Sequence, residues 1–121
     1  MMITRIYADD AGDSHFAEVE ISLRDAGPIG MLSAPIPVSA LIFRETAADY
    51  DYEWHNAPRR QYIALLGGEI EIEVTSGEVR RFSGGDVILV EDTTGRGHRT
   101  RTVDGRPRRS LFIAMDEPAS D

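Results

Sequence analysis

Histidine is the side chain best suited to proton transfer near neutral pH, and the chain has three: His15, His55 and His98. An imidazole has an unperturbed pKa of about 6.5, so it can accept and return a proton, and its neutral form binds metal ions. His55 lies in the segment WHNAPRRQY, which runs from Trp54 to Tyr62 and also offers two arginines and two amides. This segment is compatible with half of a metal site, with a metal-free catalytic pocket, or with a polar residue in a β-sheet.

Some kinds of chemistry are excluded by the residue types that the chain lacks. It contains no cysteine and no lysine, which excludes disulfides, thiolate ligands, thiol nucleophiles and Schiff bases. All 13 basic residues are arginine, 21 residues are acidic, and the net charge of −8 argues against a nucleic-acid partner. Six arginines lie between Arg96 and Arg109, and we interpret them as the solvent face of a hairpin with an Asp-Gly turn.

The spacing of apolar residues is that of β-strands. EIEIEV, Glu69–Val74, alternates strictly, and several other segments are short apolar runs of strand length. Turns such as TSGE and SGGD recur about every 8–12 residues in the second half, which is typical of a sandwich or barrel. The Pro- and Gly-rich segment Ala26–Pro37 is predicted to be an irregular connection between an N-terminal strand pair and the main sheet. The sequence therefore predicts an all-β fold.

The chain as a whole has the length and composition of one soluble domain. Its 121 residues include 41% hydrophobic ones, which is enough for a core without disulfides or metals. We predict one domain over residues 1–115 and a disordered tail over residues 116–121. No apolar run approaches the roughly 18–20 residues that span a bilayer, and the N-terminus lacks the pattern of a signal peptide. The expectation is a cytoplasmic protein with no membrane partner.

The spacing from Trp54 to His98 resembles that of the cupin superfamily, whose members are small jelly-roll β-barrels. His55 matches the first histidine of the first cupin motif. Ala57 stands where that motif has its second histidine, and Gln61 stands at its glutamate. The chain therefore retains part of the usual metal-binding set of the first motif and has other residue types at the remaining positions.

The second motif is matched less closely. Gly68 closes the first motif, Gly85 opens the second, and His98 is similar to its histidine. Glu91 stands where the second motif has a proline, and the loop before His98 is longer than usual. Together with GGEIEIEV and GDSHFAEVEI, these segments resemble a group of small bacterial cupins with no settled activity. The resemblance implies a single-domain cupin-type jelly-roll β-barrel (double-stranded β-helix) that forms a homodimer.

The resemblance also implies a site in the barrel interior. His55 and His98 would be the catalytic acid–base pair. Aromatic rings would border a planar substrate, and an arginine would bind a carboxylate in a bidentate fork. The substrate-binding residues predicted in this way are Tyr52, Trp54, Arg59, Gln61, Tyr62 and Thr100.

A divalent metal (Zn, Ni, Fe or Mn) is the alternative use of the same residues. Its ligands would be His55, Gln61 and His98, which just reach the three protein ligands of an open catalytic site. Two imidazoles and a neutral amide leave the charge of the ion uncompensated, so the sequence favours a weakly held metal or none. Glu45 would supply the missing carboxylate if it, rather than Arg44, faces inward, and the alternation does not decide between them.

Three functions compete at this point. The first is a small-molecule enzyme, an isomerase, cyclase, lyase or epimerase that works by proton transfer. The second is a non-catalytic module that binds a sugar-like or acidic metabolite, which Ala57 and Gln61 favour. The third is a purely structural protein, which has no use for a polar barrel interior. A redox dioxygenase is less favoured because such iron sites commonly include a carboxylate. The segment Glu91–Gly95 is interpreted as a structured turn at the barrel mouth.

Overall fold

The computed structural model describes residues 1–115, and the predicted disordered tail, residues 116–121, lies outside the described residues. Twelve strands and one 3-10 turn, Gly27–Ile29, are found in this range. Within residues 1–115 no helix has the length and apolar character needed to cross a membrane. The strands are β1 (Met2–Ala8), β2 (Ser14–Glu20), β3 (Arg24–Asp25), β4 (Met31–Leu32), β5 (Ala40–Thr46), β6 (Asp51–His55), β7 (Gln61–Leu65), β8 (Glu69–Val74), β9 (Val79–Ser83), β10 (Val87–Val90), β11 (His98–Thr102) and β12 (Arg108–Ala114).

The strands form two main sheets, so the all-β prediction is confirmed. The larger sheet has the order β2-β1-β10-β7-β12-β5, and the smaller has the order β6-β11-β8-β9. The parallel pairing of β1 with β10 ties the N-terminal hairpin into the larger sheet. The N-terminal strand pair is therefore part of the larger sheet itself. The connection Ala26–Pro37 is mostly irregular, as predicted, but includes β4 of the small β3–β4 pair.

Alternation along β8 decides which side chains enter the space between the two sheets. Ile70, Ile72 and Val74 are at most 4% exposed, whereas Glu69 is exposed and Glu71 and Glu73 are half-buried. They pack with apolar side chains of the larger sheet, including Ile6 and Ile88. Burying each such side chain is worth about 1.5–3 kcal/mol, so this shared core holds the sheets face to face.

A second apolar cluster covers the outer face of the larger sheet. Ile3 of β1 and Leu89 of β10 are buried there together with Met115, and Tyr62 of β7 packs against them. Successive residues of a strand point to opposite faces of the sheet. The position of Tyr62 on the outer face therefore directs its neighbour Gln61 toward the space between the sheets.

The arginine-rich segment does not form the predicted hairpin. β11 belongs to the smaller sheet and β12 to the larger one, so the turn between them passes from one sheet to the other. Arg99 and Arg101 lie on the outer surface and form ion pairs with acidic side chains of neighbouring strands. Arg108 is only 8% exposed, so the prediction that this arginine faces solvent is wrong.

Gly97 allows the loop before β11 to approach β6 closely. Its φ angle is +80°, and a Cβ atom at this position would collide with the carbonyl group of His55. The next residue, His98, pairs with His55 in the register of the two strands. The absence of a side chain at Gly97 is therefore part of what brings the two histidines together.

Candidate functional site

Side chains from both main sheets line a cavity of about 460 Å³. A volume of roughly 300–1,000 Å³ is usual for small-molecule sites, which combine apolar walls with a few convergent polar groups. The apolar lining includes Ile63, Leu65, Ile70, Ile72 and Val90. The polar lining is contributed by Arg44, Gln61, Arg108 and Ser110 on the larger sheet and by Tyr52, His55, His98 and Thr100 on the smaller.

His98 is fixed from behind by a buried carboxylate. Its Nδ1 atom lies 2.7 Å from Oδ2 of Asp92, and the hydroxyl of Ser14 donates to the same oxygen at 2.8 Å. Asp92 and Ser14 are both fully buried. Because an ionised carboxylate only accepts hydrogen bonds, Nδ1 of His98 carries the hydrogen and Nε2 is the nitrogen left for a ligand.

His55 is fixed by the backbone instead. Its Nδ1 atom lies 2.7 Å from the carbonyl oxygen of Glu53, which can only accept, so Nδ1 is again the protonated nitrogen. Burial lowers the pKa of His55 below its usual 6.5, the hydrogen bond to Glu53 partly opposes this, and the proximity of His98 lowers the pKa further. His55 is therefore neutral at pH 7, with Nε2 free to accept a proton.

The two imidazoles are direct neighbours. Their ring centroids are 4.6 Å apart, and the ring planes are inclined by 58°. Tyr52 meets His55 edge to face at 4.3 Å and limits the positions that the imidazole can take. The cavity therefore contains a pair of fixed imidazoles, each with one nitrogen available to a bound molecule.

Five of the residues predicted from sequence line this cavity together. They are Tyr52, His55, Gln61, His98 and Thr100. Gln61, His98 and Thr100 are at most 9% exposed, as expected for side chains directed between the sheets. Their positions fit the predicted site, whereas their roles stay predictions.

Trp54 and Tyr62 were predicted to border the substrate, but neither lines the cavity. Trp54 precedes His55 on β6 and is 41% exposed, at a point where the register with β11 shifts between the pairs His98–His55 and Thr100–Tyr52. Tyr62 packs in the outer cluster of the larger sheet. The strand period of two explains the position of Tyr62, whereas the irregularity in β6 lets Tyr52 and His55 share the cavity while Trp54 does not line it.

Arg59 and Glu45 also lie outside the cavity. Arg59 is exposed in the loop between β6 and β7. Glu45 is exposed on β5, and its neighbour Arg44 is the residue that lines the cavity. The carboxylate that a metal site would need is therefore not supplied by Glu45, and the predicted carboxylate-binding arginine is in the wrong place.

The sequence analysis did not identify the residues that support His98 from outside the cavity or the arginine that lines the wall opposite the histidines. Asp92 lies in the segment that we interpreted only as a turn, and Ser14 is 78 residues away from it along the chain. Arg108 was grouped with the surface arginines. The alternation of Arg108, Ser110 and Phe112 on one face of β12 was the available signal, but Arg109 on the other face made the pattern ambiguous.

The donor set does not fit a tightly held divalent metal. Among residues 1–115, no group of three or more histidine, aspartate or glutamate side chains is placed to hold a metal ion. The cavity offers two imidazole nitrogens and the amide of Gln61, which is a weak ligand for the metals that imidazole prefers. Arg44 and Arg108 add positive charge to the same space. A dication would therefore enter an already cationic cavity without a carboxylate to compensate it.

Comparison with known proteins identifies the fold but not a close relative. No family model matches the chain, and no curated protein matches it. Among solved structures, the cupin domain of Schizosaccharomyces pombe Cnp3 matches with 17% identity over 85% of this chain and 73% of that chain, with a TM-score of 0.53.

Two bacterial structures are also similar. The conserved SPY1581 protein of unknown function from Streptococcus pyogenes matches with 15% identity over 71% of this chain and 72% of that one, with a TM-score of 0.50. The protein NMB1881 from Neisseria meningitidis matches with 16% identity over 63% of this chain and 72% of that one, with a TM-score of 0.49. The chain has a cupin-like fold, as its two motifs predicted.

Proposed function

We propose that the protein is a small-molecule enzyme of the cupin type that transfers protons within the cavity. The observation that carries this proposal is the neighbouring pair of imidazoles, of which one is backed by the buried carboxylate of Asp92 and the other by a backbone carbonyl. Two titratable groups in unlike environments are the usual basis for assigning an acid and a base. The reactions that fit are those of an isomerase, epimerase, cyclase or lyase.

The unlike environments support a different role for each histidine. Asp92 places a negative charge behind His98, whereas a neutral carbonyl lies behind His55, whose pKa is lowered by burial. We therefore assign His98, whose protonated form the carboxylate of Asp92 can compensate, as the acid, and His55 as the base. Asp92 is a positioning residue that fixes the ring of His98 and compensates its charge.

A substrate that carries a carbonyl group can undergo both proton transfers. His55 Nε2 takes a proton from the carbon next to the carbonyl, and the electrons of that C–H bond form the C=C bond of an enol. The carbonyl oxygen receives the proton from His98 Nε2. Return of a proton to another carbon or to the other face then gives an isomer or an epimer. No metal is needed for these transfers.

The experiment is a screen for exchange and conversion in D2O. The full chain is incubated with keto acids, hydroxy acids, sugar acids and phosphorylated carbonyl compounds, and the carbon-bound protons of each compound are followed by NMR. We expect exchange or conversion of at least one compound, unchanged after dialysis against a chelator. His98→Asn should lower the rate by about 100-fold or more, the usual worth of general acid–base catalysis.

The choice of variants keeps this experiment informative. The amide of asparagine can still donate to Asp92, so His98→Asn leaves the buried carboxylate with a partner. His15→Asn is the control, since His15 bonds Asp9 at the β1–β2 turn and does not line the cavity. A compound that binds but is neither exchanged nor converted would reject the enzyme. It would favour the binding module that Ala57, at the position of a cupin ligand, suggests.

A further inference from the structure

Two arginines of the larger sheet, Arg44 and Arg108, face the cavity opposite the histidines. Arg44 lies on β5 and Arg108 on β12, which pair as neighbouring strands. Their guanidinium carbons lie 5.4 and 5.0 Å from the centre of one ring, that of Tyr50. The two cations therefore flank a single aromatic side chain at the cavity wall.

These arginines form no ion pair with an acidic side chain among residues 1–115, although the charge of Asp104 opposes the lowering of the Arg108 pKa. Six other arginines form ion pairs with aspartate or glutamate, whereas neither Arg44 nor Arg108 does so among residues 1–115. Arg108 is only 8% exposed, and one of its Nη atoms donates to the Thr102 hydroxyl at 2.7 Å. Burying a guanidinium without a counter-charge is costly, and the proximity of Arg44 adds repulsion.

We infer that Arg44 and Arg108 bind the anionic group of the substrate, a carboxylate or a phosphate. This inference rests on the proposed function in one respect, the orientation of the substrate. Its anionic end lies at the larger sheet and its reacting carbon lies at His55 and His98. A bound oxyanion compensates both cations and accepts the paired N–H groups of a guanidinium in a fork. The substrate class is thus a small organic acid or phosphate ester.

The rest of the cavity fits such a molecule. The lining between the arginines and the histidines is mainly apolar, with Ile63, Ile72 and Val90 among its residues. Burial lowers the pKa of Arg108, and the charge of Arg44 lowers it further, which is the electrostatic cost that an anion would remove. The uncharged body of the substrate would lie against this apolar wall, while Ser110 and Gln61 offer neutral hydrogen bonds.

The test measures the binding of simple probes to the full chain by calorimetry and thermal shift. The probes are benzoate, inorganic phosphate and the uncharged benzamide, which matches benzoate in shape. We expect one or both anions to bind and raise the melting temperature, and benzamide to bind at least about tenfold more weakly than benzoate. The ratio of the two anion affinities distinguishes a carboxylate site from a phosphate site.

Arg108→Gln should weaken anion binding by about tenfold or more, and Arg44→Gln provides a second variant at a less buried position. Arg109→Gln is the matched control, because it removes the same charge from the exposed face of the same strand. Equal anion affinity in the parent and in both cavity variants, equal binding of benzamide and benzoate, or no anion binding would overturn the inference. Binding of these probes is measured without turnover, so a failed proton-transfer function would leave this result intact.

Discussion

His98 and His55 show how two residues of the site depend on groups that lie outside it. Oδ2 of Asp92 accepts from both His98 and Ser14, and this carboxylate is fully buried. The backbone oxygen of Glu53 accepts a hydrogen bond from His55. The two histidines could be predicted because motif spacing preserves them. Their partners could not, because a contact between β2 and the loop before β11 leaves no local pattern.

Replacing Asp92 by asparagine tests this supporting role at the residue scale. The amide oxygen can take the place of Oδ2 and accept both hydrogen bonds, but an N–H2 group then stands at the buried position of Oδ1, which has no hydrogen-bond partner among residues 1–115, and the charge next to His98 is lost. We expect the free energy of unfolding to fall by about 1–3 kcal/mol, measured by urea denaturation. Asp10→Asn, an exposed aspartate, is the control and should change it by less than about 0.5 kcal/mol. Equal stability of the two variants would contradict the assigned role.

The lowered pKa of His55 predicts a pH dependence of stability. Between its folded pKa and 6.5, the unfolded chain takes up a proton that the folded chain does not. This contribution is therefore fully present above pH 6.5 and is lost as the pH falls through the folded pKa. His55→Asn should lose less stability than the parent between pH 7.5 and 5.5, measured by urea denaturation at both pH values. A parallel loss in the two proteins would contradict the prediction.

At the scale of elements, the strands were predictable and their pairing was not. The alternation of Ile70, Ile72 and Val74 gives β8 and its buried face directly. The same period explains why Tyr62 lies outside the cavity, whereas the irregularity in β6 that lets Tyr52 and His55 both line it has no signal in the sequence pattern. Long-range pairing decides whether β11 and β12 form a hairpin or join different sheets. The predicted hairpin was wrong, and it led to the wrong prediction that Arg108 faces solvent.

Gly97 offers a test of how the loop before β11 positions the histidines. Gly97→Ala would place a methyl group against the backbone carbonyl of His55, in addition to the strain of a positive φ. Gly105→Ala is the matched control, because it has a φ of +67° but no atom within 4 Å of the new Cβ. We expect Gly105→Ala to cost about 1–2 kcal/mol and Gly97→Ala clearly more, measured by urea denaturation. Equal costs would mean that the close approach is not needed.

At the scale of the whole molecule, the exposed apolar residues of β5 support the expected homodimer. β5 is an edge strand of the larger sheet, and Leu41, Ile42 and Phe43 are 54%, 51% and 78% exposed. Exposed edges and apolar patches are common sites of association. We propose that a second copy of the chain covers the exposed apolar residues of β5.

Phe43→Asp tests the dimer with little risk to the fold, because the Phe43 side chain makes few contacts that the folded chain needs. By light scattering after size exclusion, the parent should have twice the mass of one chain and the variant the mass of one. Val79→Asp, on the edge strand β9 of the other sheet, is the control and should stay dimeric. A monomeric parent, or a dimeric Phe43→Asp variant, would contradict the proposal.

The most direct test of the acid–base pair is the protonation of its two rings in the full chain. Long-range ¹H–¹⁵N spectra of the ¹⁵N-labelled protein report the protonated nitrogen of each histidine, with His55→Asn and His98→Asn spectra for assignment. The account predicts that His55 is neutral at pH 7, carries its hydrogen on Nδ1 and titrates below pH 6.5. It predicts the hydrogen of His98 on Nδ1, toward Asp92. A hydrogen on Nε2 of neutral His55, or titration of His55 at or above pH 6.5, would contradict its assignment as the base.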